Sequence, residues 1–317
     1  MPSTASSVSS PVPRLAARAL PSCLLLLALT SCGRSAVAFD GKRAYGWITR
    51  QCAFGPRVPG TAAHDSCFAD LVANLRELAP VVETDTFSYD SPVLGREVRL
   101  MNALARFAPK NPQRVLLGAH WDTRAWADQD PNPKLRDRPV LGANDGASGV
   151  AVLLELARQL QKRGTPIGVD IALFDGEDLG TDADPNGFFR GSNRYVEWKS
   201  GEKPPIFVIV LDMVAQKDAV FHWEGNSARL AMNIVDLVWG EARSLGVRSF
   251  RSDVRYTIFD DHIPFLNAGI PAIDVIDFDY PEWHTTHDSP DRCSPQSLEG
   301  VGRVLVSLVT KPNFLSR

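Results

Sequence analysis

Apolar residues along the chain fall into two patterns, short runs and stripes with a helical period, which alternate from about residue 36 onward. A short apolar run bounded by turn residues is typical of a buried strand. Such runs occupy residues 114–119, 169–174, 206–211 and 272–276. Two further strands are predicted at residues 81–89 and 97–108, paired through the turn at Ser91 and Pro92.

Stripes of apolar residues at helical spacing predict the helices. They cover residues 36–51, 67–78, 150–160, 188–198 and 227–245, with a final helix opened by Ser294. Strands that alternate with helices in this way predict an α/β fold, a single domain with a central mixed β-sheet flanked by helices. We assign this domain to residues 36–317.

Two neighbouring carboxylates follow the strand predicted at residues 169–174. Gly176 ends the run, and Glu177 and Asp178 come directly after it. In open α/β sheets, ligand sites collect at the carboxyl ends of the strands. A lone Glu-Asp pair is more often a solvated acidic turn, so this pair gains meaning only from similar residues elsewhere.

Such residues do recur at the ends of the other predicted elements. The acidic and imidazole side chains at strand ends or helix starts are His120, Asp122, Asp145, Glu177, Asp178, Asp212 and His284. Asp145 also has an ordinary interpretation as the N-cap of the helix that follows it. Carboxylate and imidazole ligands without thiolates suit a catalytic Zn²⁺ with an open coordination position. Glu177 would then be the general base or acid.

Composition narrows the class of protein without changing the predicted fold. The chain has 317 residues, of which 44% are hydrophobic and 22% charged, as in an ordinary globular protein. A formal charge of −3 gives no electrostatic basis for binding nucleic acid. Five cysteines are present without a CxxC spacing, which argues against a thiolate zinc cluster.

The first 32 residues predict a lipoprotein-type signal peptide. Arg14 and Arg18 precede an apolar core at residues 24–29 that is too short to span a bilayer. Residues 29–32 resemble a bacterial lipobox, which would make Cys32 the lipidated first residue of the mature protein. The alternative is an ordinary cleaved signal with Cys32 just past the cut.

Either interpretation places the mature chain outside the cytoplasm, in the bacterial cell envelope. The lipid anchor at Cys32 would be its only attachment to a membrane, on the periplasmic side or at the outer membrane. An oxidising compartment permits disulfides. Cys52 and Cys67 are the candidate pair, which would leave Cys293 as a free thiol, and the sequence does not indicate whether the two are joined.

The candidate site residues resemble those of the zinc aminopeptidase family M28. The matching segments are His120 to Asp122, Asn144 to Gly146, Glu177 and Asp178, Asp212 and His284. Within that family the chain is more similar to the glutaminyl-peptide cyclotransferases, or glutaminyl cyclases. Residues 54–60, 142–149, 259–265 and 283–285 carry this closer likeness. It runs from about residue 40 to the C-terminus and leans toward the bacterial envelope type, which also has Glu-Asp where the animal enzymes have Glu-Glu.

The resemblance implies a role for each matching residue. Asp145, Asp178 and His284 would hold a single Zn²⁺. Glu177 would carry the proton, with Asp212 and Asp260 in a hydrogen-bonded network beside it. The substrate pocket would include Trp283 and Phe259, while His120 and Asp122 correspond to a second-zinc ligand and the acid behind a ligand in two-metal aminopeptidases.

Two positions depart from the animal cyclases. Asp274 stands where those enzymes have a histidine, and no tryptophan closely follows Asp178, only Phe188 and Phe189. Both departures concern the details of the pocket.

The implied activity is zinc-dependent cyclisation of an N-terminal glutamine in peptides or proteins to pyroglutamate, with release of ammonia. The main alternative is a two-zinc M28 aminopeptidase, a hydrolase that would bind two Zn²⁺ per chain and use the same scaffold. A third interpretation, a non-catalytic binding domain, would be expected to have lost ligands, and none is missing. The sequence indicates neither the physiological substrates nor the oligomeric state.

Overall fold

Six strands form the central sheet of the computed structural model, which describes residues 1–11 and 38–312. The strands in chain order are β1 (Val81–Ser91), β2 (Arg96–Phe107), β3 (Arg114–His120), β4 (Gly168–Phe174), β5 (Val208–Asp212), β6 (Phe221–Glu224), β7 (Phe250–Tyr256) and β8 (Ala272–Ile276). The sheet order is β1-β2-β4-β3-β5-β8, with β6 and β7 forming a separate parallel pair. β1, β2 and β4 pair antiparallel, whereas β4, β3, β5 and β8 run parallel. The predicted mixed sheet is therefore confirmed.

Helices cover both faces of this sheet. They are α1 (Gly41–Cys52), α2 (Ala62–Leu78), α3 (Ala147–Arg163), α4 (Arg190–Trp198), α5 (Gly225–Leu230), α6 (Met232–Ser244), α7 (Ile263–Asn267) and α8 (Pro295–Thr310). The larger hydrophobic core lies between one face and α1, α2, α3, α6 and α8. A smaller core lies under α4 and α7 on the other face, around Phe174, Tyr195 and Phe265. The predicted α/β fold with flanking helices is confirmed.

Small residues allow α3 to lie close against the sheet. A Cβ atom at Gly149 would collide with the carbonyl oxygen of Leu211 in β5, so a larger residue would push the helix away. Every residue of β4 is buried, as expected for a strand covered on both faces. This close packing fixes the start of α3 beside the carboxyl ends of the parallel strands.

The helix predicted at residues 227–245 is interrupted. α5 and α6 meet at Ala231, whose backbone (φ −141°, ψ 37°) is not helical. The helix predicted from residue 188 begins at Arg190, because Phe189 has a left-handed backbone. β6 and β7 were not predicted from the sequence, since β7 is mostly exposed and polar and lacks an apolar run.

The candidate disulfide between Cys52 and Cys67 is not formed, because the structure has Cys52, Cys67 and Cys293 as free thiols. Cys67 packs into the core from α2, whereas Cys52 is partly buried and ends α1. Burial raises the pKa of Cys67 to about 11, so this thiol stays protonated at neutral pH.

The predicted signal peptide lies mostly outside the described residues, and so do Arg14, Arg18 and Cys32. Residues 1–11 are exposed and have no regular secondary structure. The chain divides into two compact units, Met1–Ala36 and Val37–Arg317, and all the helices and strands above belong to the second. Within the described residues, no helix combines the length and apolar character needed to cross a bilayer.

Candidate active site

The candidate residues converge at the carboxyl edge of the parallel strands. His120 ends β3, Asp212 ends β5, and Glu177 and Asp178 follow β4. Asp145 stands just before α3, and its neighbour Gly146 occupies the N-cap position without a side-chain hydrogen bond to the helix. The N-cap interpretation of Asp145 is therefore wrong, and its carboxylate lines a cavity of about 860 Å³ at this edge.

Three of these residues form a compact set of donors. Asp145, Asp178 and His284 each offer one ligand atom, and these atoms all lie within 4.8 Å of one another. His284 Nε2 is 3.2 Å from Asp178 Oδ1 and 3.6 Å from Asp145 Oδ2. The second oxygen of Asp178 is buried without a hydrogen-bond partner. Two carboxylates, one imidazole and an unpaired buried oxygen fit Zn²⁺ with an open position toward the cavity.

A second set of donors shares Asp145 with the first. His120, Asp145 and Asp212 offer atoms within 4.8 Å of one another. His120 Nε2 lies 3.1 Å from Asp212 Oδ1 and 3.2 Å from Asp145 Oδ1. A carboxylate between two donor sets is the arrangement of a two-metal centre. The donor geometry is thus compatible with one or two metal ions.

Buried acids behind the donors fix their backbone. Asp122 accepts hydrogen bonds from the amides of Glu177 (3.1 Å) and Asp178 (3.3 Å) and so holds the turn after β4. Asp288 does the same for Asn144 (2.9 Å) and Asp145 (3.1 Å) before α3. Asp122 is fully buried and orients the two carboxylates that reach the cavity.

Asp128 and Arg124, which were not predicted from the sequence, contact the metal-binding residues His284 and Asp178. Asp128 Oδ1 is 3.3 Å from His284 Nδ1, the nitrogen that faces away from the donor set. Arg124 binds both oxygens of Asp128 (2.9 and 2.7 Å) and lies 3.3 Å from Asp178 Oδ1. A carboxylate on the far nitrogen of a metal-binding histidine fixes the orientation of its ring. The signal available in the sequence was the long polar loop at residues 123–134, which predicts a functional rim but not these roles.

Cations surround Asp178 and carboxylates surround His284. Although burial opposes it, His284 and Arg124 hold the pKa of Asp178 below its usual range. Burial lowers the pKa of His284, but Asp178, Asp128 and Asp145 outweigh it and raise that pKa to about 9. A metal ion in this place competes with the histidine proton for the same nitrogen.

The other side of the cavity is rich in acids. Burial and the charges of Asp178, Asp260 and Asp261 raise the pKa of Glu177 well above its usual value, despite the opposing effect of His120. Burial also raises the pKa of Asp212 to about 7, against the effect of His120. Glu177, which is half-buried, is thereby suited to carry a proton at neutral pH.

Asp274 lies behind this acidic side and does not line the cavity. It is fully buried, and neither of its carboxylate oxygens has a hydrogen-bond partner with standard geometry. Burial, followed by the charges of Asp260 and Asp212, raises its pKa well above the usual value. The departure from the animal cyclases therefore places a buried carboxyl group, whose surroundings favour the protonated form, beside Asp260.

Apolar side chains form the wall of the cavity, with Trp283 and Phe259 among them as predicted. The other apolar lining residues are Ala183, Pro185, Phe188, Phe189, Met213, Ile258, Ile276 and Phe278. Phe259 is 71% exposed and belongs to the rim, whereas the Trp283 ring stacks on His284 at 4.0 Å. Phe188 and Phe189 reach the cavity, where the expected second tryptophan is missing. His120 and Asp122 are buried and are not among the residues that line it.

Comparisons with known proteins agree with this geometry. The model of the family described as peptidase family M28 matches residues 102–309. The chain is 27% identical over 259 residues to the glutaminyl-peptide cyclotransferase of Boiga dendrophila, covering 71% of this chain and 68% of that protein. The glutaminyl cyclase of Bacteroides thetaiotaomicron superposes with a TM-score of 0.82 at 34% identity, covering 87% and 99% of the two chains. A Zn-dependent exopeptidase from Parabacteroides distasonis superposes with a TM-score of 0.82 at 36% identity, covering 86% and 98%.

Proposed function

The chain belongs to peptidase family M28, and we propose that it is a zinc-dependent glutaminyl-peptide cyclotransferase that converts N-terminal glutamine to pyroglutamate and releases ammonia. One observation carries the proposal. A single cavity combines the donor set Asp145, Asp178 and His284 with the proton-accepting acid Glu177 and an apolar wall. Solved glutaminyl cyclases share this fold at about one-third sequence identity.

The reaction is an intramolecular aminolysis, in which the α-amine of glutamine attacks its own γ-carbonyl carbon. Glu177 accepts a proton from the attacking amine and returns it to the leaving ammonia. Its raised pKa suits this exchange near neutral pH. Zn²⁺ held by Asp145, Asp178 and His284 supplies Lewis-acid stabilisation of charge on the γ-carbonyl oxygen.

The apolar wall of the cavity orients the substrate. Trp283, Phe188 and Phe189 give the glutamine side chain an apolar surface on which it can fold back toward its own amine. Holding the two reacting groups of one molecule in contact lowers the entropic part of the barrier.

We further propose one zinc per chain. The nucleophile belongs to the substrate, so the reaction needs no metal-bound hydroxide. His120 supports this count, because it contacts Asp145 and Asp212 directly, and carboxylates, including Asp122, outweigh burial and raise its pKa well above the usual value. Contact with His120 thus gives these two acids a partner without a second metal ion.

The alternative function is a two-zinc aminopeptidase. It is favoured by the intact second donor set of His120, Asp145 and Asp212, and by the exopeptidase described above. Incubation with Gln-Phe-Ala-amide distinguishes the two. The cyclase releases ammonia and leaves a peptide with the same number of residues, whereas the peptidase releases free glutamine.

Metal analysis of the same preparation completes the test. We expect about one zinc per chain together with ammonia release. Two zinc ions per chain with free glutamine as the product would overturn the proposal. Gln-Phe-Ala-amide and Ala-Phe-Ala-amide form a matched pair, since only the first can cyclise and an aminopeptidase could cleave either.

For the location we propose a lipid anchor at Cys32 in the bacterial cell envelope. The proposal rests on residues 29–32 and on the short apolar core before them. Mass spectrometry of the mature N-terminus should find a diacylglyceryl group on Cys32, and the protein should partition with membranes. A Cys32→Ser protein that stays in the membrane fraction would contradict the anchor.

A further inference from the structure

A second cavity adjoins the active-site cavity. It has a volume of about 410 Å³, and Pro185, Phe188 and Phe189 line both cavities. The remaining residues around the second cavity are mostly polar: Phe87, Ser88, Asn186, Arg190, Asn193, Arg194 and Glu197. A peptide whose first residue occupies the metal-binding cavity must leave it along some side. Because Pro185, Phe188 and Phe189 line both cavities, the polar cavity is the neighbouring space on that side.

The two arginines of the second cavity differ in whether a carboxylate neutralises their charge. Arg194 binds both oxygens of Asp85 (2.7 and 3.2 Å) and lies 3.7 Å from Glu197. Its charge is therefore already compensated by the protein.

Arg190 has no such partner. Its guanidinium lies over the ring of Tyr89 at 4.5 Å, and its Nη1 donates to the carbonyl oxygen of Asn186 at 3.2 Å. Its Nε is buried without a hydrogen-bond acceptor. No carboxylate in the described part of the chain forms an ion pair with Arg190, and the carboxylate of Asp184 accepts a hydrogen bond from the Tyr89 hydroxyl.

We propose that the second cavity binds a downstream residue of the peptide substrate and that Arg190 makes it prefer a carboxylate. This proposal rests on the proposed function and extends it to the class of peptide. A guanidinium without an ion-pair partner matches a carboxylate in charge. The carboxylate is either an acidic side chain or the C-terminus of a short peptide, and the two have the same chemistry.

The test compares glutaminyl peptides that differ only in charge. C-terminally amidated peptides carry Glu or Gln at the second, third or fourth position, and short peptides carry a free acid or an amide at the C-terminus. When Glu stands at the position that the second cavity binds, we expect kcat/KM for the acidic peptide to exceed that for the neutral peptide by roughly two- to fivefold. The difference should come from a lower KM and should become smaller as the salt concentration rises. The first series detects side-chain recognition and the second detects the terminal carboxylate.

Two variants assign the effect to one arginine. Arg190→Gln should reduce the ratio between acidic and neutral peptides to about one, and Arg190→Lys should retain part of it. Arg194→Gln is the matched control and should keep the ratio, because Asp85 already neutralises Arg194. A ratio near one in the wild-type protein for every pair would overturn the proposal. So would a ratio that survives Arg190→Gln.

Binding separates this proposal from the proposed function. If no glutaminyl peptide releases ammonia, the cyclase assignment fails, yet calorimetry still measures the subsite. Zinc-loaded protein should bind pyroglutamyl-Phe-Glu-amide more tightly than pyroglutamyl-Phe-Gln-amide, or show the preference when Glu stands one position later. Equal affinities at all positions would rule out the subsite whether or not the protein is a cyclase.

Discussion

The two sides of the active-site cavity shift the pKa of a carboxyl group in opposite directions. On the side of His284, the cations around Asp178 hold its pKa below the usual range. On the side of Asp260, burial and then the charges of Asp178, Asp260 and Asp261 raise the pKa of Glu177. The pKa values of these two neighbours are thus shifted in opposite directions. Arg124 and His284 outweigh the burial of Asp178, whereas nearby carboxylates add to the effect of burial on Glu177. The turn after β4 therefore separates metal binding from proton transfer over a single residue.

The largest effect should come from removing the proton carrier. Glu177→Gln keeps the shape of the side chain and deletes its basicity, so kcat should fall by about 10²- to 10⁴-fold. Zinc content should remain that of the wild-type protein. Asp182→Asn is a suitable control, since this acid is exposed on the rim of the same cavity. Ammonia release under saturating peptide measures both, and a kcat within a few-fold of wild type in Glu177→Gln would contradict the role.

A smaller effect should follow from weakening the opposite side. Asp128→Asn removes the charge that faces His284 Nδ1 and leaves Arg124 without its bidentate partner. Zinc affinity should fall by about 10- to 100-fold, the usual consequence of losing a partner behind a metal ligand. Competition with a chelator gives the affinity. A lower kcat of Asp128→Asn at saturating zinc, with unchanged zinc affinity, would contradict the role of Asp128 in metal binding.

The acidic side should also give the protein a pH-dependent stability. The pKa of Asp212 is raised to about 7 in the folded state, so the folded protein keeps a proton that the unfolded chain loses above about pH 4. This contribution is complete below that pH and is lost as the pH rises through about 7. Between pH 5 and 8 the metal-free protein should therefore lose on the order of 1 to 3 kcal/mol.

Urea unfolding in the presence of a chelator measures this loss at each pH. Asp212→Asn should flatten the dependence, because the amide does not titrate. An equally steep loss of stability in this variant would show that the titrating group lies elsewhere.

The smallest effect should come from the rim. Phe259 is 71% exposed, so Phe259→Ala should change the free energy of unfolding by less than about 0.5 kcal/mol. We expect KM to rise by roughly two- to threefold with kcat retained, because the exposed ring lies at the rim, where it would add apolar contact to a bound peptide. Steady-state kinetics with Gln-Phe-Ala-amide measures this, and a large loss of kcat would move Phe259 from the rim into the catalytic machinery.

Much of this division follows from the sequence alone. Apolar runs gave the parallel strands, and polar residues at their ends gave His120, Glu177, Asp178 and Asp212. These residues are predictable because each follows a buried strand directly, where the chain has little freedom.

Residues on loops were harder to predict. Asp128 and Arg124 lie in a long segment without regular structure, and only the folded chain brings Asp128 next to His284, far away in sequence. The break at Ala231 and the polar strand β7 were missed for a related reason, since tertiary contacts override the local pattern there. Asp274 appeared as a departure in the pocket, but its place behind Asp260 could be seen only in the structure.

The most direct test of the central claim is the zinc content and turnover of Glu177→Gln and Asp178→Asn, measured side by side. We expect Glu177→Gln to retain zinc at the wild-type ratio and to lose turnover. Asp178→Asn should lose both, because the donor set is incomplete without its carboxylate. Loss of zinc in Glu177→Gln, with zinc retained in Asp178→Asn, would contradict the assignment of the two neighbouring acids.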